Sequence, residues 1–416
     1  MHAFGGAPSR LDRWYPWLIV VASLTMIVVG QGIQFVLSVS LKAMTADLGW
    51  PRQVPSLAYA ASMVCAGIGA LYLGRLSDRI GMGPVALIGA VMIPGGAVLT
   101  SFVTEPWQLY LVFGLMIGLL GNATIFAPLM ANTTRWFDRN RGLALGIVAS
   151  GQSLGGTIWP PIATILNVEI GWRGTFLWYG VAALILMMCM TLVLRRRAPG
   201  HAVTPPRPKA AGARPARARV LGWPAWLVQA MLCGAIVGCC VPMALPLVHL
   251  VPYASDIGFS PGAAAGLLSV ALATSFISRV GGGMLADRIG GLRTVFIGSA
   301  IQAAMLAGIA TSTDLTTLYG FAAVFGLGYG GIIAMYAFIV REYFPAEGLG
   351  AGIAVVYLFG TIGMALGGWT GGFVHDLVGT YQPAFLIGVA FNVGNLLLIG
   401  ALILRTRRFE REPLAA

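Results

Sequence analysis

Long, predominantly apolar runs without a charged residue, such as residues 17–32, 84–103 and 380–404, constrain this chain more than any other feature. At about 1.5 Å per helical residue, such runs suit a hydrocarbon core of roughly 30 Å. Backbone polar groups in lipid must be satisfied internally, which leaves helices or closed barrels. The runs lack the period-2 alternation of barrel strands, so helices are expected. Composition agrees: 57% of the 416 residues are hydrophobic and 10% are charged, too few charges to cover a soluble surface. The first run is too long for a cleavable signal peptide and leads into further spans.

The formal net charge of +12 is distributed by loop, which argues against nucleic acid as a partner. Arginines cluster at 10/13, 75/79, 135/139/141, 195–197, 288/293, 341 and 405–411, whereas the alternate loops hold Lys42, Arg52, Arg173 and little else. That is the positive-inside bias, and it places both termini and the central loop in the cytoplasm. The number of spans must then be even. Twelve candidates begin near residues 15, 54, 83, 107, 141, 172, 223, 261, 292, 316, 348 and 381. Residues 195–222, rich in Pro, Ala and Arg, read as a flexible cytoplasmic linker. It separates an N-terminal six-helix bundle, 1–194, from a C-terminal one, 223–416, with a short tail. The five cysteines lie in apolar runs without metal-ligand spacing, so packing is expected and no metal or other cofactor.

The two halves repeat. GRLSDRIG at 74–81 matches GMLADRIG at 283–290, a shift of 209 residues (287 minus 78), and the same shift carries Gly49 onto Gly258. The motif G-x-L-x-D-R-x-G sits at a tight turn after the second and eighth spans. It resembles the signature loop of the major facilitator superfamily. The resemblance covers the whole chain and implies an all-α polytopic membrane protein, with twelve transmembrane helices in two pseudo-symmetric six-helix bundles. It also implies alternating access, with Asp78, Arg79, Asp287 and Arg288 gating or bracing the cytoplasmic side; the plainer reading is that they define the turn. A second stretch, WFDRNRGLALGIVASGQSLGG at 136–156, resembles the monocarboxylate transporter signature. HLVPYASDIGFSP at 249–261, GIQFVLSVSLKAMTADLGW at 32–50 and an eighth-span arginine are similar to bacterial monocarboxylate and oxalate:formate transporter relatives.

That arginine is Arg279, eight residues before Asp287 and about 12 Å into a core of half-thickness about 15 Å. A charge there costs about 2.5–3.5 kcal/mol on insertion scales, so such residues face cavities and act. A guanidinium is permanently protonated and pairs with a carboxylate through two parallel hydrogen bonds. No Asp or Glu lies deep in a span, so the missing partner is expected to be a substrate carboxylate; the alternative is a structural arginine bonded to carbonyls or hydroxyls such as Ser275. Asn122, in GNATIF of the fourth span, suits a carboxylate or hydroxyl, and equally an interhelical bond. His249, between Pro246 and Pro252, suits substrate binding or proton transfer, and equally a packed donor. Tyr329, in GLGYGG of the tenth span, offers an aromatic wall and a hydroxyl; Phe359 and Tyr357 are lesser candidates in the eleventh.

Departures from the family pattern narrow the substrate. Animal monocarboxylate transporters carry a first-span lysine and an acid one turn before the arginine. Here those regions hold Gln31 and Gln34, and Ser275, so that proton relay does not transfer. Oxalate-type antiporters add an eleventh-span cation, but residues 348–373 contain no Lys or Arg. One buried cation balances one carboxylate and undercompensates two. The expectation is a secondary transporter of small monocarboxylates such as L-lactate or pyruvate, coupled to a proton. It would be a monomer in a bacterial inner membrane. The alternative is an organic anion exchanger or an exporter of another carboxylate compound. No nucleophile–base pair, metal cluster or phosphate loop suggests an enzyme.

Overall fold

The computed structural model describes residues 10–137, 141–196, 219–344 and 349–411. The first half contains α1 (Arg10–Leu48), α2 (Gln53–Ile80), α3 (Met82–Thr100) and α4 (Pro106–Leu111). A π-helical stretch, Val112–Asn122, continues α4 into α5 (Ala123–Ile125), followed by α6 (Ala127–Trp136), α7 (Arg141–Ala149) and α8 (Gly151–Leu194). The second half contains α9 (Ala225–Asp256), α10 (Pro261–Ile289), α11 (Gly291–Thr311), α12 (Leu315–Tyr329), α13 (Ile332–Tyr343), α14 (Leu349–Val378) and α15 (Gln382–Arg411). Among the described residues, eleven stretches are long and apolar enough to cross a membrane. The twelfth expected span is hidden in the 52-residue stretch Leu143–Leu194, which holds two crossings. Gly171, at φ 70° and ψ 171°, breaks α8 there, a conformation that a side chain would strain.

The start of α1 and the end of α15 therefore lie on one face, the terminal face, and the α1–α2 and α9–α10 turns lie on the opposite, far face. The repeated motif ends at Gly81 (φ 90°) and Gly290 (φ 86°), each reversing the chain between two helices. Their amides close onto Ser77 O at 3.0 Å and Ala286 O at 2.8 Å. Arg79, Asp287 and Arg288 are exposed at these turns, and the side chain of Asp78 lies outside the described residues.

The central stretch 197–218 also lies outside them, but the end of the expected linker has structure. β1 (Arg219–Val220) pairs antiparallel with β2 (Trp223–Pro224). Arg405 of α15 holds this hairpin by donating to Leu221 O at 2.9 Å while its guanidinium lies over Trp223. Sequence patterning misses a turn this short.

Within the first half, α8 packs on α1 and α3, and α2 on the π-helical stretch; within the second, α9 packs on α14 and α15, and α11 on α12 and α15. The second half also carries a buried polar seam. Asn395 Nδ2 donates to Ser299 Oγ (2.7 Å), Asn392 Nδ2 to Gln302 Oε1 (3.1 Å), and Tyr336 OH to Asn395 Oδ1 (3.1 Å). Bonds of this kind average about 0.6 kcal/mol each in membrane helices. The seam ties helices within one bundle and leaves the gap between bundles to other residues.

The halves meet where α2 crosses α14 and α8 crosses α10, with α1 touching α9. The α2–α14 crossing runs from Arg52 and Asp376 at the far face to Gly67 and Thr361. The α8–α10 crossing runs from Gly156 and Leu272 to Ser153 and Ser275. Beyond these levels the helices part toward the terminal face. Side-chain atoms built at Gly74, Gly146, Gly281 and Gly283 would meet nothing within 4 Å. The gap between the halves is thus sealed at the far face and open at the terminal face.

Candidate functional site

Arg279 sits where the halves begin to part. It lies ten residues from the terminal-face end of α10, about 15 Å at helical rise, and is partly buried. Its guanidinium reaches across the gap onto one face of the opposite half. Nε donates to Ser153 Oγ (2.9 Å), Nη2 to Gln152 Oε1 (3.0 Å), and Nη1 approaches Ala149 O (3.4 Å). Ser153 Oγ also shares a 2.8 Å hydrogen bond with Ser275 Oγ. All three acceptors are neutral, and no carboxylate pairs with Arg279 among the described residues. A guanidinium carries five N–H donors, so two remain for a ligand.

The tenth crossing is broken where it packs on α10, and the fourth crossing carries a break of its own. Ser275 O lies where a side chain on Gly330 would stand, so α10 seats directly on the α12–α13 break, next to Tyr329. Tyr329 is buried, stacked on Phe325, and its hydroxyl has no protein partner. The matching break in the first half follows the π-helical stretch that ends at Asn122. Such widened turns cluster at functional sites. Asn122 is 5% exposed, and neither amide atom has a protein hydrogen bond. A buried amide left unmade costs about 1–3 kcal/mol, which argues against the interhelical bond that its sequence context equally allowed. Nearby, Gln34 Nε2 donates to Ser62 Oγ (2.8 Å) while its Oε1 is unpartnered. Phe359 is exposed on α14, beside Leu358 and Thr361, which face Gly67 across the gap.

His249 stands apart from this group. It is seven residues from the far-face end of α9, about 10 Å, and fully buried. Its Nε2 lies 2.7 Å from Gly368 O and its ring lies 5.1 Å from that of Tyr381. A carbonyl only accepts, so Nε2 carries the proton and the unpartnered Nδ1 keeps its lone pair.

Above His249 is a charged cluster that the sequence reading missed. Asp256 accepts a two-pronged contact from Arg52, with Nη2 at 2.9 Å, and pairs with Lys42 at 3.0 Å. Arg52 also donates to Tyr381 OH at 3.0 Å. Burial works against the Arg52 charge, but its bonds to Asp256 and Tyr381 outweigh that and raise its pKa. Asp376, at the end of α14, accepts from the backbone N–H groups of Arg52 (2.9 Å) and Gln53 (2.7 Å), capping a helix of the other half. His375 lies 3.6 Å from Asp256. This far-face latch joins α1 and α2 to α9, α14 and α15. One sequence signal pointed at it: ADLGW at 46–50 repeats as SDIGF at 255–259, placing Asp47 and Asp256 in equivalent turns. Asp47 is held within its own half by Arg173 and Trp172, whereas Asp256 reaches across. Gln152 and Ser153 were likewise visible, as polar residues inside the 136–156 stretch.

Comparison with known proteins follows the same outline. The family model of the Major Facilitator Superfamily matches residues 17–315 and 230–416. Monocarboxylate transporter 13 of Rattus norvegicus is 27% identical over 91% of this chain and 87% of its own. Monocarboxylate transporter 11 of Mus musculus is 28% identical over 94% and 88%, and the MFS-type transporter pynF of Aspergillus niger 26% identical over 83% and 77%. Among solved structures, a bacterial homolog of the human lysosomal transporter Spinster, inward-facing and occupied, superposes with a TM-score of 0.68 at 14% identity, covering 97% of each chain. A mutant of the nucleoside transporter NupG gives 0.71 at 14% identity, covering 93% of this chain and 99% of that one. At such identity these two structures speak to the fold alone.

Proposed function

This chain belongs to the Major Facilitator Superfamily, and from that premise we propose that it carries small monocarboxylates of the L-lactate and pyruvate type across a bacterial inner membrane, together with a proton. The observation that carries the reading is Arg279: a permanent cation at the apex of the open gap, with neutral partners and two spare donors. A carboxylate is the group that matches those donors in charge and geometry. Asn122 and Tyr329 line the proposed site as further donors, with Phe359 as an apolar wall. The arginine-rich terminal face is the cytoplasmic one, so this is the inward-open arm of an alternating-access cycle. The far-face latch is the outer gate, and the turns carrying Asp78, Arg79, Asp287 and Arg288 brace the inner side. The chain works as a monomer, each half supplying one wall.

His249 is the proposed proton carrier. Its bare Nδ1 takes a proton, and the resulting imidazolium sits under Tyr381, which Arg52 bonds. Besides Arg52, the ionisable groups of the latch are Lys42, Asp256, His375, Asp376 and Tyr381. A new cation beside Arg52 weakens the latch, linking proton entry to opening of the far face. A monoanion with one proton moves no net charge.

The test is uptake of labelled L-lactate into proteoliposomes, with and without an inward proton gradient. Gradient-stimulated uptake that collapses with a protonophore, and is lost in both Arg279→Ala and Arg279→Lys, is the expected result. A lysine keeps the charge but not the fork. Wild-type kinetics in either variant sinks the assignment, and a dicarboxylate that outcompetes lactate replaces it with an anion exchanger.

A further inference from the structure

We propose that Gln152 and Ser153 are positioning residues that set the plane of Arg279 for its ligand. The inference rests on the reading of Arg279 as the carboxylate-binding group. Nε and Nη2 form one edge of the guanidinium, and that edge is filled by Ser153 Oγ and Gln152 Oε1. Ser153 is itself oriented by Ser275, whose hydroxyl also reaches Leu272 O at 2.7 Å. A long, flexible side chain is thereby pinned along one edge, and two donors are left over for a ligand. Pinning before binding lowers the ordering cost that the ligand must offset.

The internal repeat supplies the control for helix packing. Shifting α10 back by 209 residues puts Ala70 at the place of Arg279 and Ala66 at that of Ser275. Shifting α8 forward puts Thr361 at the place of Gln152 and Ile362 at that of Ser153. The α2–α14 crossing thus closes with small and apolar residues where α8–α10 carries Arg, Ser, Gln and Ser. Packing two helices at this level needs none of those polar groups. They are kept at one crossing of the two, around Arg279.

The acceptors also belong to the half that does not carry the arginine. The guanidinium is therefore oriented only while α8 is seated on α10, so ligand affinity at Arg279 depends on this contact between halves.

The experiment uses the full chain in proteoliposomes with L-lactate as probe, plus thermal shift of the purified protein with L-lactate. Losing one hydrogen bond to a charged group corresponds to about a tenfold or greater change in affinity. Gln152→Leu and Ser153→Ala are each expected to raise KM by about that factor with kcat little changed. Ser153→Thr, which keeps the hydroxyl, restores KM. Gln152→Glu places a carboxylate on Arg279 and abolishes the lactate-induced thermal shift, while Thr361→Val at the sister crossing leaves KM unchanged. Wild-type KM in Gln152→Leu and Ser153→Ala, with uptake lost in Arg279→Ala, overturns the positioning role alone. Full uptake in Arg279→Ala overturns it together with the reading beneath it.

Discussion

Replacing Asp256 with Asn tests the latch most directly. The carboxylate takes two guanidinium donors from Arg52 and the ammonium of Lys42, all from the other half. The Arg52 and Asp256 side chains are 15% and 25% exposed, so their pair is shielded enough for a charge-assisted bond worth about 2–3 kcal/mol. The Lys42 side chain is 47% exposed, and its share falls to about 0–1 kcal/mol. Asparagine keeps the shape and one acceptor oxygen, recovering about 1 kcal/mol. The far-closed state is then weakened by about 1–3 kcal/mol, roughly a 5- to 150-fold shift toward far-open forms. Spin labels at positions 102 and 313, in far-face loops of opposite halves, report the separation by double electron–electron resonance on a cysteine-free background. A longer-distance population should grow in Asp256→Asn. An unchanged distribution, in protein that is folded and monodisperse, refutes the claim that this pair holds the far face shut.

Three further outcomes are expected. His249→Asn should remove the stimulation of uptake by a proton gradient while lactate still counterflows between preloaded vesicles; equal loss of both in the reconstituted variant counts against a proton role. Asn122→Leu should leave the melting temperature level or raised, because two unpartnered buried polar atoms are removed, yet raise KM for lactate; a fall in melting temperature with unchanged KM reassigns Asn122 to structure. Gly290→Ala, at φ 86° and ψ 157°, should cost about 1–3 kcal/mol of backbone strain, read as a lower melting temperature, with Gly81→Ala close behind.

The crossings are legible in the sequence because lipid leaves the backbone no option but helix, and counting at helical rise then fixes depth. That is how Arg279 is found without coordinates. The repeat is legible because a reversal at φ near +90° admits glycine almost alone, which marks Gly81 and Gly290. The break at Gly171 is legible from length, since the run from 141 to 194 is too long for one crossing and a sixth span is expected from near residue 172. The π-helical widening before Asn122 is hidden, since no local propensity marks it; the stretch packs against α2. Partners across the gap are the least legible. Gln152 lies 127 residues from Arg279, and Asp376 lies 324 from Arg52. No periodicity encodes such pairings; they follow from how two finished bundles dock.

The cap that Asp376 places on α2 ties a local event to a global one. The amides of Arg52 and Gln53 have a carboxylate from the other half as their acceptor, so they lose it whenever the far face opens. Their hydrogens then become exchangeable with solvent, while amides one or two turns further along stay locked in the helix. Two backbone positions thus act as a built-in turnstile counter. Their deuterium uptake, taken against that of the following turn, records how often the far face opens, with no label attached.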